Sequence, residues 1–375
     1  MHLRNILFIA EGQLGDLLLL TPALGAMKTS YPSALLSVLV VERQSSNTSA
    51  HPPDNIIVGP LDKQANSVLA TNPHVDQLFT LDRHALRTLR GLKRVRAELA
   101  VVRFLRGRKF DAAICTFPED RFTLWAFSSG AKVRVGQKDQ RLCRLLTHAP
   151  AIKKETNGVL NYYCDLVRAA GATVTSHRTE YFIPEPSHRK VGEILREHSS
   201  ETGRRFVAVH PGASGDYKIW PPERYASLIE VLQSDGRFTV LLCRGVQDEP
   251  VLRDIKTRLR RPVAEVDTGS DVGTFAALLQ RCSLCISNDS GPRHLALAVG
   301  TPSVAFFRKY HDREWKVYEE SEMCATVQGE HQCPGCPPGV CMDKNPPGER
   351  FGSHCIRMIT VERALERVHR VLRAR

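Results

Sequence analysis

No stretch of the 375-residue sequence approaches the ~20 uncharged apolar residues that a membrane-spanning helix needs. The run Leu17 to Leu20 is too short even for the apolar core of an export signal, so the expected compartment is the cytoplasm. The second half contains no complete GxGxxG motif, which disfavours a nicotinamide-dependent enzyme. Eleven cysteines are present, but six are scattered singly through apolar segments with no export signal before them. Buried reduced thiols are therefore expected in place of a disulfide framework. With 42% hydrophobic and 25% charged residues, the chain is too apolar for disorder and long enough for two cored domains.

Acid is nearly missing from residues 83–109. Arg83, Arg87, Arg90, Lys93, Arg94, Arg96, Arg103, Arg106, Arg108 and Lys109 stand against Glu98 alone, so this segment holds +9 of the chain's formal +12. Such a field suits a polyanion: nucleic acid, an anionic membrane face or a phosphorylated acceptor. The plain alternative is a solvated helix face. Aromatics for base stacking are not interleaved with the charges, which lowers the odds of nucleic acid.

What is present is alternation of buried-strand and helix signals. Asn5 to Ala10 reads as a buried strand, followed by a turn through Gly12 and Gly15 and a helix from about Asp16 to Ser30. Leu35 to Val41 reads as a second, parallel strand. Residues 43–66, rich in Ser, Asn and Pro, read as a surface loop or insertion, and Phe110 to Cys115 as another strand. The polar, proline-bearing Glu185-Pro186-Ser187 is the candidate linker. Beyond it, strands are expected at Phe206 to His210, Phe238 to Cys243 and Leu284 to Ser287, with a helix near Pro221 burying Tyr225, Leu228, Ile229 and Leu232. The expected fold is α/β with two Rossmann-like halves facing a central cleft through their strand-to-helix loops.

Four such loops carry polar chemistry. In Glu11-Gly12-Gln13-Leu14-Gly15-Asp16 the glycines allow a tight turn and Asp16 caps the helix, the plain reading of that carboxylate. The second loop runs from His210 to Pro221 and brings Ser214 and a single cation, Lys218, before a helix; a mobile ammonium there can reach a phosphate, or be an ordinary surface lysine. In Ser287-Asn288-Asp289-Ser290-Gly291-Pro292-Arg293-His294 the Ser290 and Gly291 amides open a helix, a ready anion site. Asp289, Ser290 and His294 add more polar chemistry than a cap requires. The loop Arg244 to Glu249 offers a carboxylate that can hold ribose hydroxyls.

These loops resemble those of the ADP-heptose:lipopolysaccharide heptosyltransferases, glycosyltransferase family 9. The resemblance rests on Leu14-Gly15-Asp16 with Thr21-Pro22-Ala23-Leu24, Asn72-Pro73-His74-Val75-Asp76, Phe110-Asp111, His210-Pro211-Gly212-Ala213, Lys218-Ile219-Trp220-Pro221, and Ser287-Asn288-Asp289-Ser290-Gly291 with His294. It runs nearly end to end and implies a GT-B fold and an inverting transferase without a catalytic metal or required cofactor. An ADP-sugar would be the donor and a lipopolysaccharide core or related glycan the acceptor. Carried over by residue, it makes Asp16 the base on the acceptor side with Gly15. Lys218, Ser214 and the Ser290 and Gly291 amides would hold the donor phosphates. Glu249 would face the ribose, beside Asp248, and Asp289 and His294 the sugar and phosphate. It implies domains 1–186 (acceptor side), 187–357 (nucleotide-sugar side) and a terminal helix 358–375 returning to the first domain. It also implies a monomer working peripherally at the cytoplasmic face of the inner membrane on a lipid-linked anionic glycan, with no nucleic acid partner. The competing reading is a catalytically silent relative or a polyanion-binding protein using the basic 83–109 segment.

Two features depart from that pattern. Residues 43–66 look like an insertion bordering the acceptor side, and Arg293 sits between the Gly-Pro turn and His294. In the tail, Cys333, Cys336, Cys341 and Cys355 are compatible with a structural tetrahedral zinc, but the spacing is irregular and reduced thiols in a Pro/Gly-rich loop are the plainer expectation. No metal is assigned. After them, Thr360 is placed to cap a helix with Val361, Leu365, Val368 and Leu372 on one face.

Overall fold

The computed structural model describes residues 2–42, 57–58, 68–198, 203–268, 271–309, 312–315, 317–329, 336–337 and 344–373. The chain divides into two compact units, Met1–Thr179 and Glu180–Arg375. The first holds a six-stranded sheet of β1 (Asn5–Glu11), β2 (Leu35–Glu42), β3 (Ile57–Val58), β4 (Gln77–Asp82), β5 (Ala112–Cys115) and β6 (Val133–Val135). Its order is β3-β4-β2-β1-β5-β6, all parallel except β3, which runs antiparallel along β4. Part of the 43–66 segment is thus an edge strand and not loop throughout; the rest lies outside the described residues.

The strands are apolar on both faces because helices cover both. In β1, Leu7 and Ile9 point into a cluster with Val101, Leu105, Phe122 and Trp125 from the helices Gly91–Gly107 and Asp120–Ser128. By the two-residue period, Ile6 and Phe8 take the other face, where the helices Leu14–Ser30 and Val159–Ala169 pack together. Phe8 stands opposite Val38 on one side and Ile114 on the other.

The second unit repeats the plan with β7 (Arg205–His210), β8 (Phe238–Arg244), β9 (Ala264–Asp267), β10 (Cys282–Asn288), β11 (Ser303–Phe307) and β12 (Cys324–Gln328). The order β12-β11-β10-β7-β8-β9 is parallel throughout. Both sheets therefore reverse their winding beside their first strand: between β1 and β5 in one unit, between β7 and β10 in the other. At that reversal the loops leaving neighbouring strands diverge and open a crevice at the carboxyl edge.

Two expectations are corrected. Glu185-Pro186-Ser187 is not a linker but the first turn of a helix, Glu185–His198, whose Val191 and Leu195 are buried as it packs on the helix Val272–Gln280. Proline at such a start lacks only an N–H that had no intrahelical partner. The division falls before this helix, at Thr179/Glu180 and not after residue 186. The terminal helix, Val361–Arg373, does not spend its stripe on the first domain. Ala364, Val368, Val371 and Leu372 are buried in the second unit's core, against β12 and the helix Pro222–Ser234. Among the described residues no helix is long and apolar enough to cross a membrane.

Candidate active site

In the second unit the site grows from an anchored tryptophan. Trp220 is fully buried, stacks on Phe306 at 4.2 Å between ring centroids and meets Tyr225 edge-on at 5.1 Å. Its indole N–H donates to the Ile359 carbonyl at 3.0 Å. Burial of so large a ring fixes the chain two residues after Lys218, worth about 3–5 kcal/mol against truncation. The segment just before Cys355 ties the same loop from outside: Gly352 N–H donates to Asp216 O at 2.9 Å and Ser353 N–H to Tyr217 O at 2.8 Å. Lys218 thus projects from a short 3-10 turn held on both sides. Among the described residues it makes no ion pair.

Asn288, the last residue of β10, joins three segments. Its fully buried amide donates to Pro211 O at 2.6 Å, and its oxygen accepts from Trp220 N–H and the Tyr225 hydroxyl, both at 3.0 Å. The loops after β7 and β10 are therefore locked together across the reversal. The Ser290 hydroxyl lies 3.5 Å from Gly212 O, and Ser290 starts the helix Gly291–Ala298 in extended conformation with no side-chain cap. The first N–H groups of a helix have no intrahelical partner, which leaves this end with its positive dipole toward the crevice.

His294, one turn into that helix, is buried, and its Nδ1 lies 3.1 Å from the Tyr318 hydroxyl. Burial, then the neighbouring Arg293 charge, push it down to about 3, with Lys218 adding to the push and Asp289 opposing it. The imidazole is neutral near pH 7. The same couplings put Lys218, Asp289 and His294 in one neighbourhood, so the structure brings together most of the predicted donor set. Arg293 has a structural place: fully buried, its guanidinium lies over Phe307 at 4.6 Å and donates to Trp315 O at 3.2 Å.

The adjacent carboxylates Asp248 and Glu249 have different fates. Asp248 is buried, accepts Gly245 N–H at 2.9 Å and stands 3.3 Å from His210 Nε2. Burial pushes the His210 imidazole down, against the pull of Asp248. Glu249 opens the next helix half-exposed, 3.2 Å from Arg244, which also pairs with Asp267. Ser214 is exposed on its loop. Gly212 has no side chain for a specific reason: a Cβ there would fall 1.9 Å from Asp248 Oδ1.

In the first unit, Asp16 is the third residue of the helix Leu14–Ser30, and its Oδ2 accepts the Gln13 N–H at 3.0 Å. The N-cap is therefore Gln13 and not Asp16, which closes a capping box from the third helical position, and the Asp16 side chain is only partly buried at the carboxyl edge of β1. Neither Gly12 nor Gly15 adopts positive φ. Gly12 is needed for proximity and not for a tight turn, since a Cβ would sit 2.4 Å from Asp16 Cβ.

Charge counting missed a neighbour of this edge. Arg83 is not part of the outward field but is held between the buried Glu11, at the end of β1, and Glu119, 2.9 Å away after β5. Arg108 also turns inward, over the rings of Phe79 and Phe104 at 4.8 and 4.9 Å. Of the tail cysteines, Cys333 and Cys341 lie outside the described residues. Cys336 is partly exposed and Cys355 buried beside Ser353. Among the described residues no group of three or more potential ligands could hold a metal.

Two doubly wound units, each with its sheet reversal beside its first strand, have the architecture of the GT-B glycosyltransferases. The model for glycosyltransferase family 9 (heptosyltransferase) matches residues 99–336, and the chain belongs to that family. It is 22% identical to lipopolysaccharide heptosyltransferase 3 of Escherichia coli K12, over 82% of this chain and 83% of the relative. The glycosyltransferase family 9 structure from Veillonella parvula matches with a TM-score of 0.75 at 19% identity, covering 100% of this chain and 99% of that one. The ADP-heptose lipopolysaccharide heptosyltransferase II of E. coli matches with 0.69 at 18% identity, over 99% of each.

Proposed function

We propose that the protein is an inverting, metal-independent heptosyltransferase that moves a heptose from an ADP-sugar to a lipopolysaccharide core or related glycan acceptor. The observation that carries this reading is the convergence of Lys218, the open helix end at Ser290 and Gly291, and the neutral His294 at the sheet reversal of the second unit. A leaving diphosphate needs positive charge placed before it departs, and an ammonium with two backbone amides supplies it without a divalent ion. Asp289 and His294 line the sugar and phosphate, Ser214 joins the phosphate contacts, and Glu249 meets the ribose. On the acceptor side, beside Gly15, Asp16 takes the proton of the attacking hydroxyl. That oxygen forms its bond to the anomeric carbon on the face opposite the phosphate, the bond to the diphosphate oxygen breaks, and ADP leaves with the electron pair.

Family membership and the name of the ADP-heptose-using relative support the donor. In this reading the first unit, Met1–Thr179, serves the acceptor and the second, Glu180–Arg375, the donor, as a monomer at the cytoplasmic face of the inner membrane, without nucleic acid. The test is thermal stabilisation by a panel of nucleotides and nucleotide sugars. ADP and ADP-sugars at a hundredfold excess over Kd should add about 2.7 kcal/mol, with UDP and GDP counterparts giving far less and chelator changing neither binding nor turnover. An equal response to all bases, or to none, overturns the donor assignment.

A further inference from the structure

The helix Gly91–Gly107 buries only Ala97, Val101 and Leu105 against the first unit's core. Its opposite side carries three large apolar residues in solvent: Leu92 at 76% exposure, Val95 at 53% and Leu99 at 47%. At 3.6 residues per turn these three fall within an arc of about 60°, with Arg96, Arg103 and Arg106 on the same side. Arg90, Lys93 and Arg94 flank the first turn. Among the described residues none of these six cations makes an ion pair. The helix's single carboxylate is spent elsewhere, because Glu98 accepts from Trp125 Nε1 at 3.1 Å and faces Arg121 at 3.5 Å.

Two features of this helix are unfavourable within the chain itself. It has no acid in its first turn and no side-chain cap, so cations crowd the positive end of its dipole. It also leaves a row of aliphatic side chains in water, and the neighbouring helix Asp120–Ser128 adds Leu124 at 45% and Phe127 at 47%. Both features become favourable against one kind of surface, where anionic phosphates lie beside an acyl boundary.

We propose that the outer side of this helix is an interfacial membrane anchor. Leu92, Val95 and Leu99 enter the acyl boundary of an anionic bilayer, while Arg96, Arg103 and Arg106 on the same side meet lipid phosphates. A soluble phosphorylated glycan would use the cations but not the leucines. Nucleic acid would need aromatics interleaved among the charges of this helix, but Phe104, its one aromatic, is partly buried under Arg108, and Phe127 on the neighbouring helix is covered by Arg134 at 5.5 Å. This surface deepens the reading of a lipid-linked acceptor, yet it is tested without donor or acceptor.

The experiment is co-sedimentation of the full chain with vesicles of phosphatidylglycerol and phosphatidylethanolamine, against phosphatidylcholine alone, across a salt series. Wild type should pellet with the anionic vesicles and be released by salt, with each cation contributing roughly fivefold in partitioning. Arg96→Glu/Arg103→Glu should lower binding by more than tenfold, and Leu92→Ser/Leu99→Ser by a similar factor. Both variants should keep wild-type melting temperature and wild-type ADP binding. A failed donor assignment would appear only in the nucleotide panel and would leave vesicle binding intact. No binding to anionic vesicles at low salt overturns the anchor. So does binding that ignores the leucine changes, which would reduce the surface to a phosphate-docking patch, or binding that RNA displaces at equal charge concentration.

Discussion

Replacing Gly212 by alanine tests whether the loops after β7 and β8 are locked as a unit. The new methyl would fall 1.9 Å from Asp248 Oδ1 and 2.1 Å from its Cγ, so the carboxylate must swing away. That movement breaks the 2.9 Å bond from Gly245 N–H and the 3.3 Å approach to His210 Nε2, leaving a buried carboxylate without them. Losing a charge-assisted hydrogen bond and a buried pair together costs about 3 kcal/mol. The same swing disturbs the loop that carries Lys218, so ADP affinity should fall with stability. Urea denaturation reads the first effect and calorimetric titration of ADP the second. Asp248→Ala alone should cost a similar amount, and the double variant little more than Asp248→Ala, because the methyl then enters vacated space. Gly212→Ala within about 0.5 kcal/mol of wild type, with unchanged ADP affinity, would refute the locked-loop account.

Two other outcomes follow from burial. His294 is neutral when folded, held down to about 3, but gains a proton in the unfolded chain below about pH 6.5. The unfolded state therefore binds more protons as pH falls, and stability should drop by about 2 kcal/mol between pH 8 and pH 5 from this group. His294→Gln should flatten the profile by that amount in urea denaturation, and an equally steep profile would contradict the burial argument. Val368→Ala in the terminal helix should cost about 1–3 kcal/mol and destabilise the second unit, because its side chain fills that unit's core; fluorescence-monitored denaturation in a Trp125→Phe background, which removes the first unit's tryptophan, checks this.

The sequence made the strands beside the sheet reversals legible because branched apolar runs end there in polar loops. The runs read at Asn5 to Ala10 and Phe238 to Cys243 differ from β1 and β8 only at the last residue. The helix at Pro222 was legible for the same reason, since Tyr225, Leu228, Ile229 and Leu232 repeat with its period. What was not legible depended on partners distant in sequence. A polar Glu-Pro-Ser reads as a linker, and only the later Val191 and Leu195 make it the start of a packed helix. Periodicity gave the terminal helix its buried face but not the unit that receives it. Counting charge placed Arg83 in an outward field, whereas Glu11 and Glu119, remote in the chain, enclose it. Of two adjacent carboxylates, the separation into a buried Asp248 and a half-exposed Glu249 came from the approach of Gly212, which no local pattern announces.

The central claim is that Asp16 accepts the acceptor's proton while a separate cradle around Lys218 holds the donor. Steady-state transfer and ADP calorimetry on Asp16→Ala test it together. The account predicts turnover lower by about 10²–10⁴-fold with the ADP Kd unchanged. Turnover equal to wild type, or a loss of ADP binding that matches the loss of turnover, would contradict it.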